Sequence, residues 1–97
     1  MIVTVYISGA ITGTTDYMER FNKAENDLIF LGYEVVNPAK INANLPKICT
    51  HKDYMTVSMA LLSICDTIYM LKGYEKSKGA MEELRYAVKN GYTIIKE

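Results

Sequence analysis

A glutamate on an otherwise apolar helix face is the strongest candidate for chemistry in this chain. Residues 79–90 have the apolar spacing of a helix, and Glu83 lies on the face of Ala80 and Ala87. A carboxylate among small residues near a helix start can act as an acid or a nucleophile. It can also simply complement the helix dipole, which the spacing alone favours. Glu82 should point the other way, into solvent.

Two turns that contain glycine could hold a small anion. Ser77 and Gly79 stand at the start of that helix, where free backbone amides and a hydroxyl can surround an anion. An ordinary N-cap serine is the commoner explanation. Ser8 and Gly9, followed by Gly13, give a similarly weak glycine-loop signal. Neither turn has the spacing of a dinucleotide-binding or P-loop motif, so neither predicts such a site.

One histidine and two tyrosines complete the candidates. His51 lies in a polar stretch at a predicted helix start, and we expect a surface residue rather than a catalytic base. Tyr6 and Tyr74 lie near the ends of predicted strands, where a ring could lie against a ligand. The remaining tyrosines and methionines mostly fall on strands or apolar helix stripes, and core packing explains most of them.

The composition favours one small globular domain in a reducing compartment. The chain has 97 residues, and its eleven basic residues balance eleven acidic ones without forming a block. This argues against a nucleic acid or an anionic membrane as the partner. Cys49 and Cys65 lack the ligand spacing of a zinc site, so we expect no metal. We also expect no cofactor. With no membrane-length apolar run and no basic leader, a cytoplasmic protein is expected.

Strand and helix patterns alternate along the chain. Strands are predicted at 2–7, 33–36, 66–71 and 92–95, and helices at 16–31, 51–64 and 79–90. Thr50 and Asp53 have the capping-box spacing before the second helix. Residues 39–49 show no periodicity and are predicted to be a loop, as are residues 72–78.

This alternation predicts an α/β fold. We expect residues 1–97 to form a single doubly wound, flavodoxin-like domain with a mostly parallel sheet of about four strands. Ligands bind such sheets beyond the carboxyl ends of the strands. The loops to consider are therefore 8–15, 37–49 and 72–79.

The same positions resemble the nucleoside 2-deoxyribosyltransferase superfamily, and within it a small stand-alone branch related to deoxynucleotide N-glycosidases. The resemblance covers nearly the whole chain and depends on the order and spacing of its segments. Those segments are 6–13 (YISGAITG), 32–39 (GYEVVNPA), 53–55 (DYM), 65–71 (CDTIYML) and 73–83 (GYEKSKGAMEE).

The resemblance implies a mechanism centred on Glu83. In active relatives the matching glutamate attacks the sugar C1′ and expels the base, and water or another base then resolves the sugar–enzyme ester. The resemblance further implies that Ser77 and Gly79 contact the sugar or phosphate and that Tyr6 and Gly9 shape the pocket. Relatives build sites across subunit contacts, so a homodimer or larger homo-oligomer is expected.

Two positions depart from the active relatives. Near the start of the second helix those relatives have an aspartate, in an Asp-Leu step, that positions and protonates the leaving base; here Ser58 and Met59 stand in that place. Serine cannot replace this acid, and general-acid help typically contributes about 100-fold to 10,000-fold. Asp53 is a weak substitute because it lies more than a helical turn from Ser58. Ala10 replaces a serine that binds phosphate in the nucleotide glycosidases.

Two functions remain open after these departures. The first is an N-glycosidase or deoxyribosyltransferase that acts on a nucleoside or nucleotide through Glu83. The second is a catalytically impaired module that binds a nucleoside or nucleotide, with Ser58 in place of the usual aspartate. Under either function Glu83 should face a cavity formed by the loops after the first and third strands.

Overall fold

The described residues, 2–97, form a parallel β-sheet with helices on both faces in a computed structural model. In chain order the elements are β1 (Thr4–Ser8), α1 (Tyr17–Phe30), β2 (Glu34–Val36), α2 (Pro38–Asn42), α3 (His51–Ser63), β3 (Thr67–Met70), a 3-10 turn (Tyr74–Lys76), α4 (Lys78–Lys89) and β4 (Thr93–Lys96). The strand order is β2-β1-β3-β4, and every pairing is parallel. The predicted flavodoxin-like α/β fold is confirmed.

The central strand β1 sends alternate side chains into two separate cores. Val5 and Ile7 pack with Phe21 of α1. Tyr6 packs on the opposite face with Leu62 of α3 and with residues of α4. Because side chains alternate along a strand, Ser8 points to the same face as Tyr6. The polar end of β1 therefore faces α3 and α4.

The topology places a crevice beyond the carboxyl end of β1. The connection through α1 leads from β1 to one edge of the sheet, and the connection through α4 leads from β3 to the other edge. β1 and β3 are adjacent, with Ser8 opposite Met70. Loops that leave neighbouring strands in opposite directions open a space between them, where doubly wound sheets bind ligands.

The loop after β1 approaches β3 so closely that it requires a glycine. A β-carbon on Gly9 would lie 2.9 Å from both Cβ and Cδ1 of the buried Leu71. The backbones are tied here as well, because the Leu71 N–H donates to the Ser8 carbonyl at 2.8 Å. Packing against Leu71 therefore explains the glycine at position 9.

The prediction of a loop over 39–49 is wrong at its start. Residues 38–42 form α2, and the Asn37 side chain accepts hydrogen bonds from the N–H groups of Ala39 (3.1 Å) and Lys40 (3.4 Å). Pro38 stands at the first helical position, which suits its fixed φ. Five residues are too few to show a helical period. The Asn-Pro pair at the cap was therefore the only sequence signal for this helix. The predicted loop 72–78 likewise contains the 3-10 turn.

No helix described within residues 2–97 has both the length and the apolar character needed to cross a membrane.

Candidate functional site

A cavity of about 340 Å³ opens beyond the carboxyl end of β1. Its walls come from the loop after β1, from α2 and the segment that follows it, and from the N-terminal turns of α3 and α4. Six residues predicted for the site line it: Tyr6, Gly9, Ser58, Ser77, Gly79 and Glu83. A volume of about 300–1,000 Å³ is typical of small-molecule sites. The structure thus brings the predicted residues into one cavity and adds α2 to its walls.

Glu83 is buried in this cavity, and both of its oxygens accept hydrogen bonds. The side chain is 6% exposed and shares its helix face with Ala80 and Ala87. The Tyr6 phenol donates to Oε2 at 2.5 Å, and the Ser8 hydroxyl donates to Oε1 at 2.6 Å. Glu82 is exposed, as predicted.

Burial and hydrogen bonding act in opposite directions on Glu83. Burial raises the pKa of Glu83 above its ordinary value, while the hydrogen bonds from Ser8 and Tyr6 oppose the rise and the charge of Glu82 adds a little to it. Burial, and then the charge of Glu83, raises the pKa of Tyr6 well above 10.0. Tyr6 is therefore held protonated at neutral pH and remains a donor to the carboxylate.

The raised pKa of Glu83 should make stability depend on pH. A group with a higher pKa in the folded state binds more protons there than in the unfolded state, so its contribution to stability falls as pH rises. We expect the free energy of unfolding of the wild type, relative to that of Glu83→Gln, to increase as pH decreases from 7 towards 4.5, the ordinary value for this group. Chemical denaturation of both proteins across this range measures the difference. A difference that does not change with pH would contradict the assignment.

A neutral pair of side chains occupies the cavity wall next to Tyr6. Ser58 on α3 is 5% exposed, and its Oγ accepts a hydrogen bond from Nδ2 of Asn42 on α2 at 3.1 Å. The nearby Ser58 hydroxyl also acts to lower the pKa of Tyr6. Polar groups thus run from Asn42 through Ser58 and Tyr6 to Glu83. Asn42 Oδ1 is buried without a hydrogen-bond partner among residues 2–97.

The first turn of α4 forms another part of the wall. Ser77 is its N-cap, and the Ser77 Oγ accepts from the Ala80 N–H at 3.1 Å, which leaves the hydroxyl hydrogen available to a ligand. A β-carbon on Gly79 would lie 3.1 Å from Met55 Sδ and 4.0 Å from His51 Cε1. The N-termini of α3 and α4 therefore lie side by side at the cavity.

Ser8 and Asn42 are the site residues that the sequence analysis did not single out for these contacts. Ser8 had a usable signal, because it follows Tyr6 by two residues in a strand and so shares its face. Asn42 had none, because it lies in a segment predicted to be a loop.

Three other candidates lie elsewhere or at the rim. Tyr74 does not line the cavity; its ring packs on the α3–α4 core, with Lys96 Nζ 6.0 Å from the ring centroid. Asp53 completes the predicted capping box, with its carboxylate accepting from Thr50 N at 2.8 Å, and it does not line the cavity either. His51 is exposed, as predicted, and borders the cavity. Within residues 2–97, no group of three His, Cys, Asp or Glu side chains could hold a metal ion.

Comparisons with known proteins agree with the fold and supply a family. The structure is similar to that of the 2-deoxyribosyltransferase from the psychrotolerant bacterium Bacillus psychrosaccharolyticus, with a TM-score of 0.78, 14% identity, and 97% of this chain and 71% of that chain covered. At such an identity the similarity shows a shared fold alone. No curated protein matches the sequence. Residues 3–96 match the family described as Domain of unknown function (DUF4406), and the chain therefore belongs to that family.

Proposed function

We propose that the protein is an N-glycosidase or deoxyribosyltransferase that acts on a nucleoside or nucleotide, with Glu83 as its nucleophile. One observation carries the proposal: Glu83 is buried at a cavity, and the hydroxyls of Tyr6 and Ser8 hold both of its oxygens. The fold neighbour is described as a 2-deoxyribosyltransferase that is a suitable biocatalyst for the synthesis of nucleosides, which supports the same class of chemistry.

The contacts of Glu83 suit a nucleophile. An ionised carboxylate has about four lone-pair positions, so two donors leave room for attack on a sugar carbon. Tyr6 and Ser8 fix the direction of the carboxylate and reduce the loss of freedom at the reacting atom. Attack on C1′ forms a sugar ester and releases the base. Water then yields the free sugar, or a second base yields a new nucleoside.

The rest of the cavity suits the sugar and any phosphate. Ser77 offers a hydroxyl hydrogen, and Gly79 keeps the start of α4 free of a side chain. The adjacent N-termini of α3 and α4 favour negative charge. These features support a contact with the sugar hydroxyls or with a phosphate.

A binding module is the second candidate, and Ser58 is the observation that favours it. The hydroxyl of Ser58 pairs with a neutral amide where active relatives have a carboxylate. Such a protein would keep the cavity and hold its ligand without breaking the glycosidic bond.

One panel of ligands separates the two candidates. The purified protein is incubated with each common deoxynucleoside and its 5′-monophosphate, with Glu83→Gln as the control. Released base is measured by chromatography, and the melting temperature is measured on parallel samples. Release that depends on Glu83 supports the enzyme, and a melting shift without release supports the binding module. Neither effect with any ligand would contradict both.

A further inference from the structure

Within residues 2–97 of one chain, the cavity is lined by a carboxylate that can attack the sugar and by no second carboxylate that could protonate the base. Glu83 is the only Asp or Glu among the described residues that line it. Ser58 stands at the other polar position, and its Oγ already accepts from Asn42. A neutral purine or pyrimidine leaves as an anion unless an acid protonates it, and that help is typically worth about 100-fold to 10,000-fold.

Tyr6, Lys47 and His51, three other proton donors that line the cavity, are poorly placed for this task. Tyr6 donates to Glu83, and burial raises the pKa of Tyr6 well above its ordinary value. Lys47 and His51 are exposed at the rim of the cavity. His51 lies beside Gly79, and Glu83 follows Gly79 by four helical residues, or about 6 Å along the axis. On α3, Ser58 follows His51 by seven helical residues, or about 10 Å along the axis, so His51 lies away from the position of Ser58.

A base that already carries a positive charge needs no acid. We infer that the substrate is an N-glycoside whose base is cationic in the ring bonded to the sugar, such as a pyridinium or N7-alkylpurinium nucleoside or nucleotide. This inference rests on the proposed function.

The reaction balances without a proton donor. As Glu83 forms the C1′–O bond, the electron pair of the C1′–N bond moves to the ring nitrogen and neutralises the base, which leaves as a neutral molecule. Water then attacks the sugar ester and restores the Glu83 carboxylate. Each turnover consumes one water and releases one proton to the solvent.

The cavity walls are also suited to a cationic base. Tyr17 and Tyr54, both half-buried, line the cavity. The faces of aromatic rings attract cations. In its ionised form, the Glu83 carboxylate adds an attraction that is strong because the group is 6% exposed and weakly screened. These contacts would favour the binding of a cationic base, and its departure needs no proton.

The test compares substrates that differ by one methyl group and one charge. Guanosine and 7-methylguanosine are assayed at pH 6 in their ribose and deoxyribose forms, as nucleosides and as 5′-monophosphates. Nicotinamide riboside and its 5′-monophosphate represent the pyridinium class. Base release is measured by chromatography, and proton release is measured as the pH change of a weakly buffered solution. Each assay is repeated with Glu83→Gln, and the release by that variant is subtracted.

We expect the Glu83-dependent kcat/KM to be at least about 100-fold larger for a cationic substrate than for the neutral guanosine form that carries the same number of phosphates. We also expect one proton per base released. Preference for the pyridinium or for the methylated purine supports the inference and identifies the subclass.

Two results would overturn the inference in different ways. Equal Glu83-dependent kcat/KM for the guanosine and 7-methylguanosine forms, with guanine release lost in His51→Gln, would make His51 the acid and leave the proposed function in place. No Glu83-dependent release from any of these substrates or from the common deoxynucleosides would remove the proposed function as well.

Discussion

Glu83→Gln should lower the rate of base release at least about 1,000-fold, because removal of a nucleophile leaves only binding and positioning. Glutamine has nearly the shape of glutamate, and its carbonyl oxygen can still accept one of the hydrogen bonds from Tyr6 and Ser8. The amide nitrogen is not a nucleophile, so the covalent step is lost. The residues that line the cavity are otherwise unchanged. Base release under single-turnover conditions measures the loss directly.

Glu82→Gln is the matched control, because it makes the same chemical change one residue away on the exposed face. We expect its rate to stay within about twofold of the wild type, as for most surface substitutions. Circular dichroism should give native spectra for both variants. Equal activity in the two variants would show that the reaction does not pass through Glu83. The nucleophile role that the resemblance implies for Glu83 would then be wrong.

The alternation of strands and helices was predictable because the patterns that encode it are local. β1 is a run of β-branched and aromatic residues, and α1 repeats its apolar residues at helical spacing, so each pattern fits one kind of element. The capping box of Thr50 and Asp53 fixed the start of α3. α2 was not predicted, because a helix of five residues is too short to show a periodic pattern.

The helix face of Glu83 is visible in the sequence, but the spacing alone favoured a dipole role, and the resemblance to the deoxyribosyltransferases was needed to predict Glu83 for the site. Its partners could not be predicted, because the hydrogen bonds from Tyr6 and Ser8 join residues 77 and 75 positions apart. Such contacts depend on the placement of α4 against β1, which no local pattern specifies. The expected homo-oligomer and cytoplasmic location remain predictions for the same reason, since both depend on more than the local pattern of this chain.

The neutral pair of Ser58 and Asn42 was identified partly from the sequence and partly from the structure. The resemblance to deoxyribosyltransferases identified Ser58 as a departure from the active relatives. The structure adds that Ser58 is buried beside Tyr6 and already receives a hydrogen bond from an amide. A carboxylate introduced there would meet a donor that is already oriented.

Ser58→Asp should increase the release of neutral bases from deoxynucleosides at least about tenfold, because it supplies the acid that active relatives use. Asn42 Nδ2, now 3.1 Å from Ser58 Oγ, can donate to the new carboxyl group. The nearby Glu83 carboxylate should raise the pKa of the new group, since two like charges in one site disfavour each other. A carboxyl that stays protonated near neutral pH is a general acid, and a well-placed one lowers the barrier by about 3–5 kcal/mol.

Two further variants isolate the effect. Ser58→Asn introduces a side chain of the same size as aspartate but without an acidic proton, so it should give no gain in base release. Glu83→Gln in the Ser58→Asp background should abolish the gain, because the acid assists a departure that Glu83 drives. The substitution should also lower the melting temperature, since it places an ionisable group at a position that is 5% exposed. If Ser58→Asp folds and binds a nucleoside but gains no Glu83-dependent release, and the wild type releases no base from the cationic substrates either, the cavity is shaped for binding rather than for glycosidic cleavage, and the binding module becomes the better proposal.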